Sequence, residues 1–541
     1  MRTLAKNARI ITGESPELQQ PLSCLAIRDN IIEYRGRLED AAIIDFLRHD
    51  DVKQVDLGGR NILPAFVDGH VHLLHFGISL SKIDLGDCGS LDDIRQAIQM
   101  AAAGRPDAKR LLFHRWKQSA IPGKATSSML EGLDPRPIYI DAHDLHSAWC
   151  NGAALDELNL PSTNPPGGII HRDEHGAPTG LLEEGAVVSL VWPFLADLMS
   201  RAEKLDRIRE AVAIYNRAGY TTVIDMAVTQ DYWELLHELH VAGELKLRVA
   251  AHFLVLPTGD AETERAQVEH ASKLHQSYNL STSPELRVAG IKIICDGVVD
   301  ACTAAVSKPY QTTGETVQPF WTPETLQRVL AVADGSGLQC ALHAIGDEAV
   351  TLAVDGLESL CTTGRRHRIE HLELTKPEDA RRLGRLGITA SVQPVHCDPE
   401  QNTLWPPLIG KDLYTRAFAY REFLDAGANL AIGTDAPTAP HQPWNNLFNA
   451  TTRRTYQRPH DKETCNEHFK LDLVEALAAS SMGSAYSCFA ENMVGSLAAG
   501  KRADFIVLDG VGDWRHDPAS LLTCRVVGTW LDGRPVWSEL G

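Results

Sequence analysis

The chain has 541 residues, of which 44% are hydrophobic and 23% charged, and a formal net charge of −19. This is the composition of an ordinary globular protein with material for a large core spread over two or three structural units, which excludes a disordered or fibrous chain. Nucleic-acid binding is excluded as well, because neutralising phosphates needs clustered Lys and Arg and the acidic chain has no such run.

The opening "MRTLAKNARIITGE" carries a few basic residues but no apolar stretch of signal-peptide length. No uninterrupted apolar run elsewhere reaches the span of a bilayer, so a cytoplasmic protein without a membrane partner is expected. Residues 1–60 read as short β segments, "NARIITG" and "CLAIRDNIIEYRG". Residues 490–541 read alike, as "DFIVLDG" and "VVGTWLDGRPVW", with Asp532-Gly533 as a hairpin turn. The two termini are expected to pair into one small β-sandwich. The eleven cysteines are scattered from Cys24 to Cys524 without a C-x-x-C pair, so free thiols are expected, Cys295 and Cys302 included.

The apolar run "PAFVDGHVHLL", Pro64 to Leu74, ends on two histidines one residue apart. In a strand, residues i and i+2 face the same way, so His70 and His72 project together beyond the strand's end, where two imidazoles can reach one metal ion. Residues from about 79 to 205 are too long for a strand-to-helix connection and hold strand and helix signals of their own, so they are expected to form an inserted subdomain.

Beyond the insertion, β-branched runs alternate with helical stretches, the pattern of parallel strands covered by helices. The strands begin at Gly219 ("GYTTVIDMAV"), Leu247 ("LRVAAHFLV"), Leu286 ("LRVAGIKIICDG") and Leu338 ("LQCALHAIGD"). Others begin at Arg366 ("RHRIEHLEL"), Gly387 ("GITASVQPVH") and Asn429 ("NLAIGTDAP"). With the opening strand they number eight, and an α/β fold built on a (β/α)8 TIM barrel over residues 61–489 is predicted. In "TPETLQRVLAVADGSG", Thr322 is placed to cap a helix, Pro323 suits its first turn, and Leu326, Val329, Leu330 and Ala333 share a face.

The active site of such a barrel lies at its strand ends. His343 in "LHAIGD", His371 in "IEH" and Asp435 in "GTDAP" each fall at the end of a different strand, and with His70 and His72 they form a candidate metal set. Imidazole and carboxylate donors suit a borderline divalent ion, zinc foremost, although Mn, Fe and Co accept the same ligands. Lys292 in "GIKIICDG" also lies near a strand end. Burial disfavours its ammonium form, and a neutral amine reacts with carbon dioxide to a carbamate able to bridge two cations. The alternative is an ion pair with Asp296 or Asp225.

The motifs "DGHVHLL", "IKIICDG", "LHAIGD", "RIEH", "VQPVH" and "GTDAPTAP", with "DLHSAWCNGAAL", "GAPTGLLEE" and "GSLAAGKRADFIVLD", resemble those of the amidohydrolase superfamily, in its YtcJ-like branch, over nearly the whole chain. That resemblance implies a metal-dependent hydrolase acting on carbon–nitrogen bonds other than peptide bonds. It places His70, His72 and Asp435 on a more buried metal and His343 and His371 on a second. Lys292, if carboxylated, would bridge the two, with one or two ions per chain. It also implies a small-molecule substrate and a homodimer.

In that reading Asp435 is the proton shuttle, taking a proton from the attacking water and passing it to the leaving nitrogen. Its alternative is a purely structural ligand. Ester hydrolysis, deamination and nonoxidative decarboxylation are other reactions open to the same site, and a noncatalytic binding barrel is a further class. Where similar proteins show Gly-Trp-Asp, this chain has "FHRWKQS" around Trp116, and where they show Asp-Gly-His it has Asp144, Leu145 and His146. His396, Trp116 and His146 are the candidate substrate-binding residues. Arg115 and Lys117 are expected as solvated charges, with carboxylate binding as the alternative. Trp149, Trp405 and Trp444 are expected to pack, with lining an apolar pocket as the alternative, and His75, His114, His171 and His441 to be structural or exposed.

Overall fold

The computed structural model describes residues 2–11, 22–165, 167–514 and 516–540. Thr12 and Gly13, the end of the segment read as a strand from Asn7, lie outside them.

Eight parallel strands form the central sheet: β1 (Phe66–Val71), β2 (Tyr220–Val228), β3 (Arg248–Val255), β4 (Leu286–Ile294), β5 (Gln339–Ala344), β6 (Arg368–His371), β7 (Thr389–Val392) and β8 (Leu430–Ile432). Their order in the sheet is their order in the chain. They are buried nearly throughout and largely apolar, with buried polar side chains such as Asp225, Arg248, Lys292, Arg368 and Glu370 among them.

The chain just beyond β8 closes the barrel. Asp435 donates its backbone N–H to the His70 carbonyl at 2.8 Å, and His72 donates to the Ala436 carbonyl at 3.1 Å. Two glycines allow this approach. A Cβ on Gly69 would lie 2.8 Å from the Ile432 carbonyl oxygen, and one on Gly433 would lie 2.3 Å from the His70 nitrogen. Helices pack outside the barrel. The one over Pro323–Gly335 is capped reciprocally by Thr322 and Thr325 and buries Leu326, Val329, Leu330 and Ala333, the face read from the sequence.

Between β1 and β2 stands a second sheet of six strands, in the order Gly168–Arg172, Pro178–Glu184, Ser147–Cys150, Ile138–Ala142, Leu111–Trp116 and Ile83–Asp84. It has its own core, with Phe113, Trp116, Ile140 and Trp149. The helix Arg201–Ala218 that follows, with a Ser200/Glu203 capping box, already belongs to the barrel wall, where Ile208, Ala211, Val212 and Tyr215 join the central core.

Strands from both ends of the chain make a third, seven-stranded sheet, ordered Arg534–Ser538, Arg525–Leu531, Phe505–Asp509, Val52–Pro64, Arg2–Ile10, Cys24–Arg28 and Ile31–Gly36. Its wings fold toward each other in the manner of a sandwich. Ile32 N–H donates to the Lys501 carbonyl and Ala503 N–H to the Asn30 carbonyl, both at 2.8 Å, and Leu25 and Ile27 share a core with Phe505, Val507 and Trp530. Among the described residues no helix is long and apolar enough to cross a membrane.

Candidate active site

His70 lies in β1 and His72 just past its end, so both imidazoles leave the strand on one side. Asp435, three residues beyond β8, meets them: its Oδ1 is 3.3 Å from His70 Nε2 and 3.2 Å from His72 Nε2. The other ring nitrogens are held from behind. His70 Nδ1 is 2.7 Å from Glu370 Oε2, and His72 Nδ1 is 3.0 Å from the Met226 carbonyl. A carboxylate and a carbonyl only accept here, so each Nδ1 is the donor and each Nε2 presents a lone pair. Glu370 is fixed in turn by Arg368 Nε at 2.8 Å, and Arg368 is fully buried.

His343 in β5 and His371 at the end of β6 lie beside them, with ring centroids 4.4 Å apart and His371 5.0 Å from His70. His371 and Asp435 have backbone φ of +76° and +56°, a region that few non-glycine residues occupy. His70 Nε2, His343 Nε2, His371 Nδ1 and Asp435 Oδ1 are buried without a hydrogen-bond partner. Buried polar atoms are normally paired. Such atoms converging as neutral imidazoles and one carboxylate fit a divalent cation. His70, His72 and Asp435 form one preorganised triad of donors, and His371, His396 and Asp435 another.

Burial, with the Lys292 charge, pushes His70 down to about 4 and holds His343 well below the ordinary histidine value. Both are therefore neutral, the form that ligates metal, at physiological pH.

Lys292 is buried in β4, and desolvation pushes it down to about 8. The ion pair considered for it is not made. Asp296 instead accepts from the backbone N–H groups of Ala305, Ile345 and Gly346, and Asp225 accepts from the Tyr232 hydroxyl and the Leu73 N–H.

A cleft of about 120 Å³ opens over Asp435, His371 and His396, bounded by Trp116, His146 and Trp405. His396 stands in a short turn after β7, with Nδ1 3.0 Å from Glu373 Oε1 and Nε2 3.7 Å from Asp435 Oδ2. His146 comes from the inserted sheet; its Nδ1 is 2.6 Å from Glu184 Oε2 and its ring 5.4 Å from that of His343. Burial works against its charge, but the Glu184 carboxylate outweighs burial and raises it to about 9. Trp116 is fully buried against Trp149 and keeps an unpaired indole N–H.

Trp149 and Trp444 are buried and packed, as expected, whereas Trp405 borders the cleft and donates to Asp300 Oδ2 at 3.1 Å. Arg115 turns to Asp84 at 2.6 Å, while Lys117 borders the cleft. His75 packs on Trp192 and His171 pairs with Glu183, outside the metal set.

The carboxylates behind the histidines, Glu370, Glu373 and Glu184, are the residues the sequence reading passed over. Glu370 stood in plain view in "RIEH". Strand alternation puts it on the face of Arg368, and the left-handed turn at His371 brings the next residue to the same site.

The Amidohydrolase family profile matches residues 53–537. The putative amidohydrolase YtcJ of Bacillus subtilis is 26% identical, with 95% of each chain covered. The N-substituted formamide deformylase of Arthrobacter pascens is 25% identical over 89% of each chain. Among solved structures, an uncharacterized metal-dependent hydrolase from Pyrococcus horikoshii superposes with a TM-score of 0.75 at 26% identity, over 94% of this chain and 97% of that one.

Proposed function

This chain belongs to the amidohydrolase family, and from that premise we propose that it hydrolyses a non-peptide carbon–nitrogen bond, an amide, formamide or cyclic amide, of a small molecule. The observation that carries this reading is the convergence of His70 Nε2 and His72 Nε2 on Asp435 Oδ1, with each Nδ1 tied from behind. A divalent cation, zinc by the donor set, would be held there by His70, His72 and Asp435, and would supply Lewis acidity for a carbonyl oxygen and for water. His343 and His371 would hold a second ion. Lys292, buried in β4 with its ammonium form disfavoured by desolvation, would carry a carbamate serving both ions.

Asp435 takes the proton of the attacking water through the carboxylate oxygen that faces the cleft, and water oxygen bonds to the carbonyl carbon. The same carboxyl then returns the proton to the leaving nitrogen, the C–N bond breaks, and an acid and an amine are released. His396, whose protonated form the Glu373 carboxylate favours against burial, donates from Nε2 to the substrate's carbonyl oxygen. His146 and the indole N–H of Trp116 bind the substrate from the opposite wall. The inserted sheet bounds the cleft on that side, keeping bulk water from the attacked carbon.

The test is product analysis on formanilide, acetanilide and hydantoin, with p-nitrophenyl acetate as the ester comparison. Amine and acid released in equal amounts from an anilide, or ring opening of hydantoin, is the expected result. Turnover of the ester alone, or release of ammonia or carbon dioxide in their place, would contradict the proposal.

A further inference from the structure

Glu184 ends the last long strand of the inserted sheet, and its surroundings are shaped around its carboxylate. It is buried, and its backbone φ of +55° lies where non-glycine residues are uncommon. Both oxygens are engaged: Oε2 with His146 Nδ1 at 2.6 Å, and Oε1 with the Thr303 hydroxyl, which donates at 2.5 Å. Thr303 belongs to the loop after β4, where its hydroxyl also accepts from the Val298 N–H at 3.0 Å. Gly297 in that loop leaves the space. A Cβ there would lie 2.1 Å from Glu184 Oε1 and 2.2 Å from the Thr303 hydroxyl. Val298 and Val299, next in the chain, border the cleft beside His146.

We propose that Glu184 is a positioning residue that fixes His146 against the substrate, so that the inserted sheet and the loop after β4 form a single substrate-binding wall. An imidazole whose Nδ1 is tied to a carboxylate has one orientation, with Nε2 turned away from the tie, here toward the cleft. Untied, the ring is free to turn about its side-chain torsions. The built features around Glu184 serve that tie. The backbone is turned at Glu184, the loop hydroxyl takes the spare carboxylate oxygen, and the glycine clears its path. The inference rests on the hydrolase reading for what fills the cleft, but the pair itself is testable without a substrate.

The first arm uses zinc-loaded enzyme labelled with 15N-histidine and free of substrate. The His146 Nδ1–H resonance, assigned by its loss in His146→Ala, is expected to move upfield in Glu184→Gln; an unmoved resonance overturns the pair whether or not any amide is hydrolysed. The second arm uses the panel amide turned over fastest. Glu184→Gln is expected to raise KM about 10–100-fold at unchanged metal content, and to add nothing further in a His146→Ala background. Thr303→Val, which removes only the loop hydroxyl, is expected to raise KM less, and it serves if Glu184→Gln does not fold. An equal effect of Glu184→Gln with and without His146, or unchanged KM in both single variants, overturns the positioning role.

Discussion

His70 and His72 present a lone pair to Asp435 only because something else takes their Nδ1 protons. Of the two partners, Glu370 is the one that mutation can remove. Glu370→Gln weakens the orientation of His70, and a metal affinity lower by about 10–100-fold is predicted, measured by chelator competition. Unchanged affinity would mean that the His70–Glu370 contact is packing alone. Asp435→Asn keeps the shape of the site but removes the group that moves the proton and helps to hold the metal, and in variant enzyme brought to the wild-type metal content kcat is predicted to fall about 100- to 10,000-fold. His146 carries a pH signature. Its pKa in the folded state is raised from 6.5 to about 9, so its stabilising contribution is complete below the unfolded value and is lost as pH rises through about 9. The stability difference between wild type and His146→Gln, from urea unfolding at several pH values, should shrink across that window; growth of the difference would contradict the pairing with Glu184. At this scale the meeting of His70, His72 and Asp435 was legible because each stands at or just past a strand end. Glu370 and Glu184 were not, because a carboxylate shows its task only beside the imidazole it meets, 300 residues away for Glu370 and next to the neighbouring strand of the inserted sheet for Glu184.

Strands and helices were read well where periodicity decides. The stretch from Thr322 shows it, with its cap, its first-turn proline and its buried face all visible in the residues. The seven barrel strands after the insertion were each found within a few residues; those ending at Val228 and Val255 were read to their true ends, and the other five were read too long at the C-terminal end. The sequence "RIEHLEL" continues apolar past His371, yet the strand stops at that residue because its backbone turns left-handed to bring the ring inward. The same happens after β8, where the turn at Asp435 replaces further strand. The pairing order of the inserted sheet was not legible at all, since short strands with mixed directions carry no signal for which neighbour they choose. Barrel closure makes its own prediction. Gly433→Ala forces a Cβ onto the His70 backbone, so a loss of about 1–3 kcal/mol in stability is expected, with weaker metal binding because β1 is displaced. Retention of both would mean that the first and last strands have slack.

The three sheets are joined by buried polar contacts as well as by apolar packing. Arg248, at the start of β3, is buried with Asp504 of the terminal sheet and also reaches Asp532 Oδ1 at 2.7 Å. Thr529 donates its hydroxyl to the Asn216 carbonyl at 2.7 Å, tying the same sheet to the helix before β2. Arg248→Met leaves a carboxylate buried without its cation, and a loss of about 3–5 kcal/mol is predicted by urea unfolding. A change within error would show that the terminal sheet contributes little to the barrel's stability.

The inserted sheet and the barrel's strand ends bound one cleft, and the proposed chemistry requires a metal there. Elemental analysis by inductively coupled plasma mass spectrometry, on wild type and on the His70→Ala/His72→Ala variant purified side by side without chelators, tests it most directly. The prediction is at least one divalent metal per wild-type chain and a clear loss in a folded variant. Wild-type protein that is folded, active on an amide and free of metal would contradict the account.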